Sequence, residues 1–140
     1  MNMIIKLIWL SISIGFMIEI FTTAISRILD WNVTKEDKKL IGYISLWMAP
    51  IYGICLPFIY LPLSKVIQDY NIFLQGTIFG IGFLLIEFLS GWAYHKFMKI
   101  RPWDYAGAKL SIYGYIRLDF FPLWALVGLG LKYYFKFFGW

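Results

Sequence analysis

The sequence predicts an all-α, polytopic integral membrane protein with four transmembrane helices in a bundle. Three observations carry this. Of 140 residues, 61% are hydrophobic and 21% aromatic, while only 15% are charged; a soluble domain carries ~45–50% apolar residues. The mean hydropathy is +0.70. The apolar residues also gather into runs of ~20, the length that crosses ~30 Å of hydrocarbon.

The first span covers about 3–26. Lys6 ahead of an apolar run has the order of a signal peptide, but the run is too long, carries Glu19 and is followed by further spans, so it reads as a retained helix. The second span, 40–61, contains Pro50 and Pro57, with Pro62 just beyond, and is expected to kink. The third, 71–94, opens on the small-residue pair Gly76 and Gly80, which lets helices approach closely in lipid. The fourth, 112–132, should bend at Pro122. The tail 133–140 alternates aromatics with lysine, a pattern suited to the membrane–water interface. Residues 1–140 read as a single membrane domain, because the longest connections, 27–39 and 95–111, are too short to fold alone. No repeat or low-complexity segment interrupts it.

Orientation follows from basic residues in short loops. The first and third loops carry Arg27, Lys35, Lys38 and Lys39, then Lys96, Lys99, Arg101 and Lys109. The other side has Lys6, Lys65, Lys132 and Lys136. Loops 27–39 and 95–111 are therefore expected in the cytoplasm, in a protein of the cell membrane.

Several function classes are excluded or disfavoured. The net charge of +5 comes from lysines and arginines that mostly flank spans, with no basic tract or exposed aromatic pattern for nucleic acid. One cysteine, Cys55, excludes an intramolecular disulfide, and one histidine, His95, excludes a multi-histidine zinc or haem site. No metal or other cofactor is expected. No nucleophile sits in a GxSxG-like setting and no Walker A loop is present, so enzymatic chemistry is not the leading expectation.

Four ionisable residues fall inside the expected spans: Glu19, Glu87, Arg117 and Asp119. A charge at the bilayer centre costs ~2.5–3.5 kcal/mol on insertion scales, so such residues face a partner or a water-filled cavity. At helical rise, Glu19 lies ~12 Å from Arg27 and Glu87 ~13 Å from Lys96. Arg117 and Asp119 lie ~12 and ~15 Å from Lys109. Read this way, the four groups share one layer. Glu19 falls on a small-residue stripe with Ser11, Gly15, Thr22 and Ser26, and Glu87 on another with Gly76, Gly80 and Gly91. Two readings compete. The cluster is either an ion network that pins the bundle, with Arg117 bridging carboxylates, or a site for a proton, a cation or a polar head group. Three acids against one arginine leave a surplus that a proton or cation would neutralise.

The third loop contains Arg101-Pro102-Trp103-Asp104-Tyr105-Ala106-Gly107. Proline stiffens it, the aromatics anchor at the interface, and Asp104 is placed to cap a turn or accept from Arg101.

The stretches Glu87–Gly91 (EFLSG) and Arg101–Tyr105 (RPWDY), then Gly114 and the run to Trp124, resemble the CmpB-type, type IV ABC-transporter permease family. They are also similar to a group of vertebrate four-span membrane proteins. The likeness extends upstream to Gly15–Glu19 (GFMIE) and Leu46–Gly53 (LWMAPIYG), and so covers nearly all of the chain. By position, the family's motif falls on Glu19, Tyr52, Gly53, Glu87, Gly91, Trp103, Asp104, Tyr105 and Gly114. The chain departs from it at Ala106, where the family has serine, and at Ser111, where it has asparagine.

The resemblance implies a transport-related, permease-like protein. Glu19 and Glu87 would then bind a proton, cation or polar head, Arg117 would balance charge, and the Trp103–Tyr105 loop would cap the site. The alternatives are a lipid-binding or lipid-modifying protein and a structural or assembly partner without chemistry of its own. The expected partners are the lipid bilayer, with anionic lipids drawn to the basic loops, and a second copy or other membrane subunits.

Overall fold

A computed structural model describes residues 2–29 and 39–140; the side chains of 27–29 lie outside the description. Lys35 and Lys38 of the first loop, and the Arg27 side chain, therefore fall outside the described residues. The structure is mainly helical and divides into two compact units, Met1–Pro57 and Phe58–Trp140.

In the first unit, α1 (Met3–Leu29) starts where the Asn2 side chain accepts from the Ile4 N–H, satisfying one of the amides that a helix start leaves open. It keeps much of its surface outward: Trp9, Met17 and Phe21 are each more than half exposed, the condition of a helix solvated by lipid. The expected second span begins later than position 40, at α2 (Met48–Cys55). Residues ahead of it lie along α1 in non-helical form. Gly42 takes a place where a Cβ would collide with the Ile20 carbonyl, and the Tyr43 N–H donates to Thr23 Oγ1 at 2.8 Å. Those contacts, with Leu40 at φ 54°, oppose helical winding there.

The expected kink appears as a change of winding. Leu56–Tyr60 form a π turn containing Pro57, followed by α3 (Leu61–Val66) with Pro62 in its first turn. Pro57 lacks the N–H that an α-turn requires, and wider winding accommodates that loss.

In the second unit, Asn71 caps α4 (Ile72–Ala93) by accepting from the Leu74 N–H at 2.9 Å. A π turn, Tyr94–Met98, prolongs it until Lys99 stops it in the left-handed region at φ 59°. A short hairpin follows, with β1 (Ser111–Ile112) antiparallel to β2 (Ile116–Arg117), and then a 3-10 turn, Leu118–Phe120. Only then does α5 (Phe121–Phe137) begin. The expected fourth span thus starts nine residues later than position 112. Tyr113 and Gly114 both take positive φ, 53° and 75°, and reverse the chain there. Pro122 stands in the first turn of α5, where its missing N–H costs nothing, so it opens the helix instead of bending it.

Glycines bring α4 and α5 together. Gly80 lies under the Phe121 ring, Gly128 under Phe79, and Gly76 against Ala125 and Leu129. Phe83 stacks on Trp124 with centroids 5.5 Å apart. Lys132 Nζ donates to Gln75 Oε1 at 2.9 Å, and Gln75 in turn holds the carbonyls of Gln68 and Tyr70. Met3–Ser26, Met48–Val66 and Ile72–Met98 are long and apolar enough to cross a membrane. With 17 residues, α5 rises ~25 Å and is shorter and less apolar.

Candidate functional site

Glu19 sits on α1, four residues after Gly15. The ring of Tyr52, from α2, occupies the space a Cβ at Gly15 would need. That close approach lets the Tyr52 hydroxyl donate to Glu19 Oε1 at 2.6 Å. Tyr52 is buried, and beside it Gly53 packs on Ile12. Thr22 and Thr23 donate their hydroxyls to the Glu19 carbonyl, at 3.2 and 2.8 Å, and keep the next turn of α1 polar on this face.

The second glutamate repeats this scheme with the glycine on its other side. Glu87 is buried on α4, four residues before Gly91, and its Oε1 accepts from the Tyr105 hydroxyl at 2.8 Å. Gly91 leaves room for Trp103 and Tyr115, each 3.3 Å from where its Cβ would be. Trp103 then donates Nε1–H to the Tyr115 carbonyl at 2.9 Å.

The loop motif has three separate jobs. Trp103 packs on Gly91. Asp104 turns the chain, its Oδ1 accepting from the Ala106 N–H at 2.9 Å and from Arg101 at 3.4 Å. Tyr105 reaches Glu87, while its own N–H donates to the Gly114 carbonyl at 2.9 Å. Gly114 is required here: at φ 75°, its Cβ would come within 2.7 Å of Asp104 Oδ1.

The two departures from the family pattern have local explanations. Position 106 contributes its backbone N–H to Asp104, which alanine does as well as serine. Ser111 still accepts from the Gly114 N–H through its hydroxyl, at 3.2 Å.

Arg117 and Asp119 lie ahead of α5, on β2 and the 3-10 turn, so helical rise does not measure their depth. They pair with each other: Arg117 donates from Nε to Oδ1 at 3.2 Å and from Nη2 to Oδ2 at 2.7 Å. The guanidinium also lies 4.5 Å from the Phe120 ring centroid. The hydrogen-bonded Arg117 holds the Asp119 carboxyl below the usual carboxylate range, against partial burial that pushes the other way.

Counting charges does not find these contacts. Tyr52 enters from sequence only as a position of the resemblance, because a tyrosine in an apolar run reads as hydrophobic, and Tyr105 enters as an interfacial anchor, not as a partner of Glu87. The bond between His95 Nδ1 and the Tyr115 hydroxyl, 2.7 Å, joins α4 to the hairpin, and the Gln75–Lys132 pair joins α4 to α5. The available signal for all of these was a polar atom at helical spacing from a glycine.

A family model described as "Putative ABC-transporter type IV" matches residues 5–138. No curated protein matches the chain, and no solved structure does. The family match spans nearly the entire length, and three helices are long and apolar enough to cross a membrane. The chain is therefore a membrane protein and belongs to the family described as "Putative ABC-transporter type IV".

Proposed function

We propose that the protein is a permease-like transport component that crosses the membrane four times, with α5 as the fourth span. In this reading Glu19 and Glu87 carry the transported or coupling charge. The observation behind it is Glu87: a buried carboxylate in a helix long and apolar enough to span a membrane, held by the neutral hydroxyl of Tyr105. A neutral donor offsets only part of the cost of an ionised carboxylate in such surroundings. In this reading a proton or a bound cation on the carboxylate offsets more of that cost, so occupancy of the carboxylate and its bond to tyrosine become linked.

Tyr52 has the same relation to Glu19. Release of either hydroxyl frees a carboxylate oxygen for a cation or for the ammonium of a polar head. Arg117 and Asp119 contribute a charge-balanced pair next to the Trp103–Tyr105 loop, which caps Glu87.

Proteoliposomes test this reading. Wild-type protein should carry a proton, sodium or potassium flux, read by an internal pH dye or by isotope uptake. Glu87→Gln should abolish the flux while leaving the helical content and detergent melting temperature near wild type. Absence of any Glu87-dependent flux of these ions would refute the reading.

A further inference from the structure

The end of α4 carries an exposed aromatic face topped by a cation. Phe88, Trp92 and Lys96 follow at intervals of four and share one side of the helix. Tyr113, at the hairpin tip, lies against Phe88 with centroids 6.5 Å apart. Phe97 stands edge-on to Trp92 at 6.0 Å. The Lys96 ammonium sits 4.7 Å from the Trp92 centroid and 5.5 Å from that of Phe97. Trp92, Phe97 and Tyr113 are all exposed, and Leu85 and Leu89 extend the open apolar strip down the helix.

Among the described residues neither Lys96 nor Lys99 has an acidic partner. Asp104 is the one acid between positions 88 and 118, and it is engaged by Arg101 and the Ala106 N–H. Ring faces hold an ammonium in place without using up its hydrogen-bond donors. This arrangement occurs at the end of a helix long and apolar enough to span a membrane, the depth at which Trp and Lys meet phosphate groups. A ligand that complements it needs an anionic head and an apolar chain. A free anion would make no use of the strip below Trp92.

We propose that Lys96 and Lys99 bind the phosphate head of an anionic phospholipid from the adjacent leaflet, with an acyl chain along Leu85, Leu89 and Trp92. The site shares no residue with either tyrosine–glutamate pair and does not rest on the transport reading.

The test uses the full chain in non-ionic detergent, offered equal amounts of phosphatidylglycerol and phosphatidylcholine, with bound lipid counted by native mass spectrometry. Wild type should retain phosphatidylglycerol preferentially. A basic residue at a membrane surface contributes about five-fold, so Lys96→Gln with Lys99→Gln should lower that preference about twenty-five-fold. Lys96→Arg with Lys99→Arg should keep it. Lys6→Gln with Lys136→Gln removes the same charge elsewhere and should leave it unchanged. The site is overturned if wild type shows no preference, or if the Lys96/Lys99 glutamine pair retains it. Equal losses from the two glutamine pairs also overturn it, because net charge alone would then explain the binding.

Discussion

The Tyr105 hydroxyl donates to Glu87 Oε1 at 2.8 Å across 18 residues of sequence, and this bond links the Trp103–Tyr105 loop to a buried carboxylate on α4. Its consequences can be measured separately from transport. Tyr105→Phe removes the donor and leaves Oε1 of Glu87 without it, at a cost of about 1–3 kcal/mol. Glu87→Gln keeps an acceptor and should cost less. A thermal-melt double-mutant cycle in detergent should find the two changes coupled, and amide exchange at 103–107 should quicken in Tyr105→Phe. Additive effects would show that the bond is not the tie.

Gly15 and Gly82 make opposite predictions for the same substitution. Gly15→Ala places a methyl group within the ring of Tyr52, so it should cost about 1–3 kcal/mol as overpacking and break the Tyr52–Glu19 bond. Gly82 has nothing within 4 Å of its Cβ position, so Gly82→Ala should stabilise α4 by about 0.5–1 kcal/mol. Melting temperatures of the two variants in one detergent decide the matter.

At Gly114, conformation and space act together. A side chain there meets φ 75° and Asp104 Oδ1 at 2.7 Å. Gly114→Ala should cost about 1–2 kcal/mol from the left-handed backbone alone, plus the displaced Asp104 turn. The loop should then become a preferred site of limited proteolysis near 104–107, while the α4–α5 packing survives.

The Arg117–Asp119 pair gives a pH dependence with a definite sign. The folded carboxyl titrates below its unfolded value of about 3.9. Its contribution is therefore complete above that value, and it is lost as pH falls through the lower, folded value. Melting curves of wild type and Asp119→Asn should converge as pH drops below about 4 and separate above it. The separation should be small, because Asp119 is 39% exposed and water screens the pair. Parallel curves across that range would contradict the assignment.

Composition alone settled the solvent of this chain, because so many Ile, Leu, Phe and Trp side chains cannot be hidden from water in 140 residues. The long apolar runs 3–26 and 71–94 overlap α1 and α4. Both glutamates were legible as anomalies, for an acid within such a run stands out by charge. What a linear reading could not supply was the partner of each group. By hydropathy the fourth helix runs through 112–120, yet two positive-φ residues fold that stretch into a hairpin, with Arg117 paired to Asp119 just beyond it. In sequence Tyr52 passes for a hydrophobic residue and Tyr105 for an interfacial anchor. Their hydroxyls gain meaning only when Gly15 and Gly91 let other segments come close, and that proximity belongs to three-dimensional packing. Hydropathy is a property of each residue and sums along the chain, whereas a hydrogen bond between positions 87 and 105 exists only once the backbone has turned back on itself.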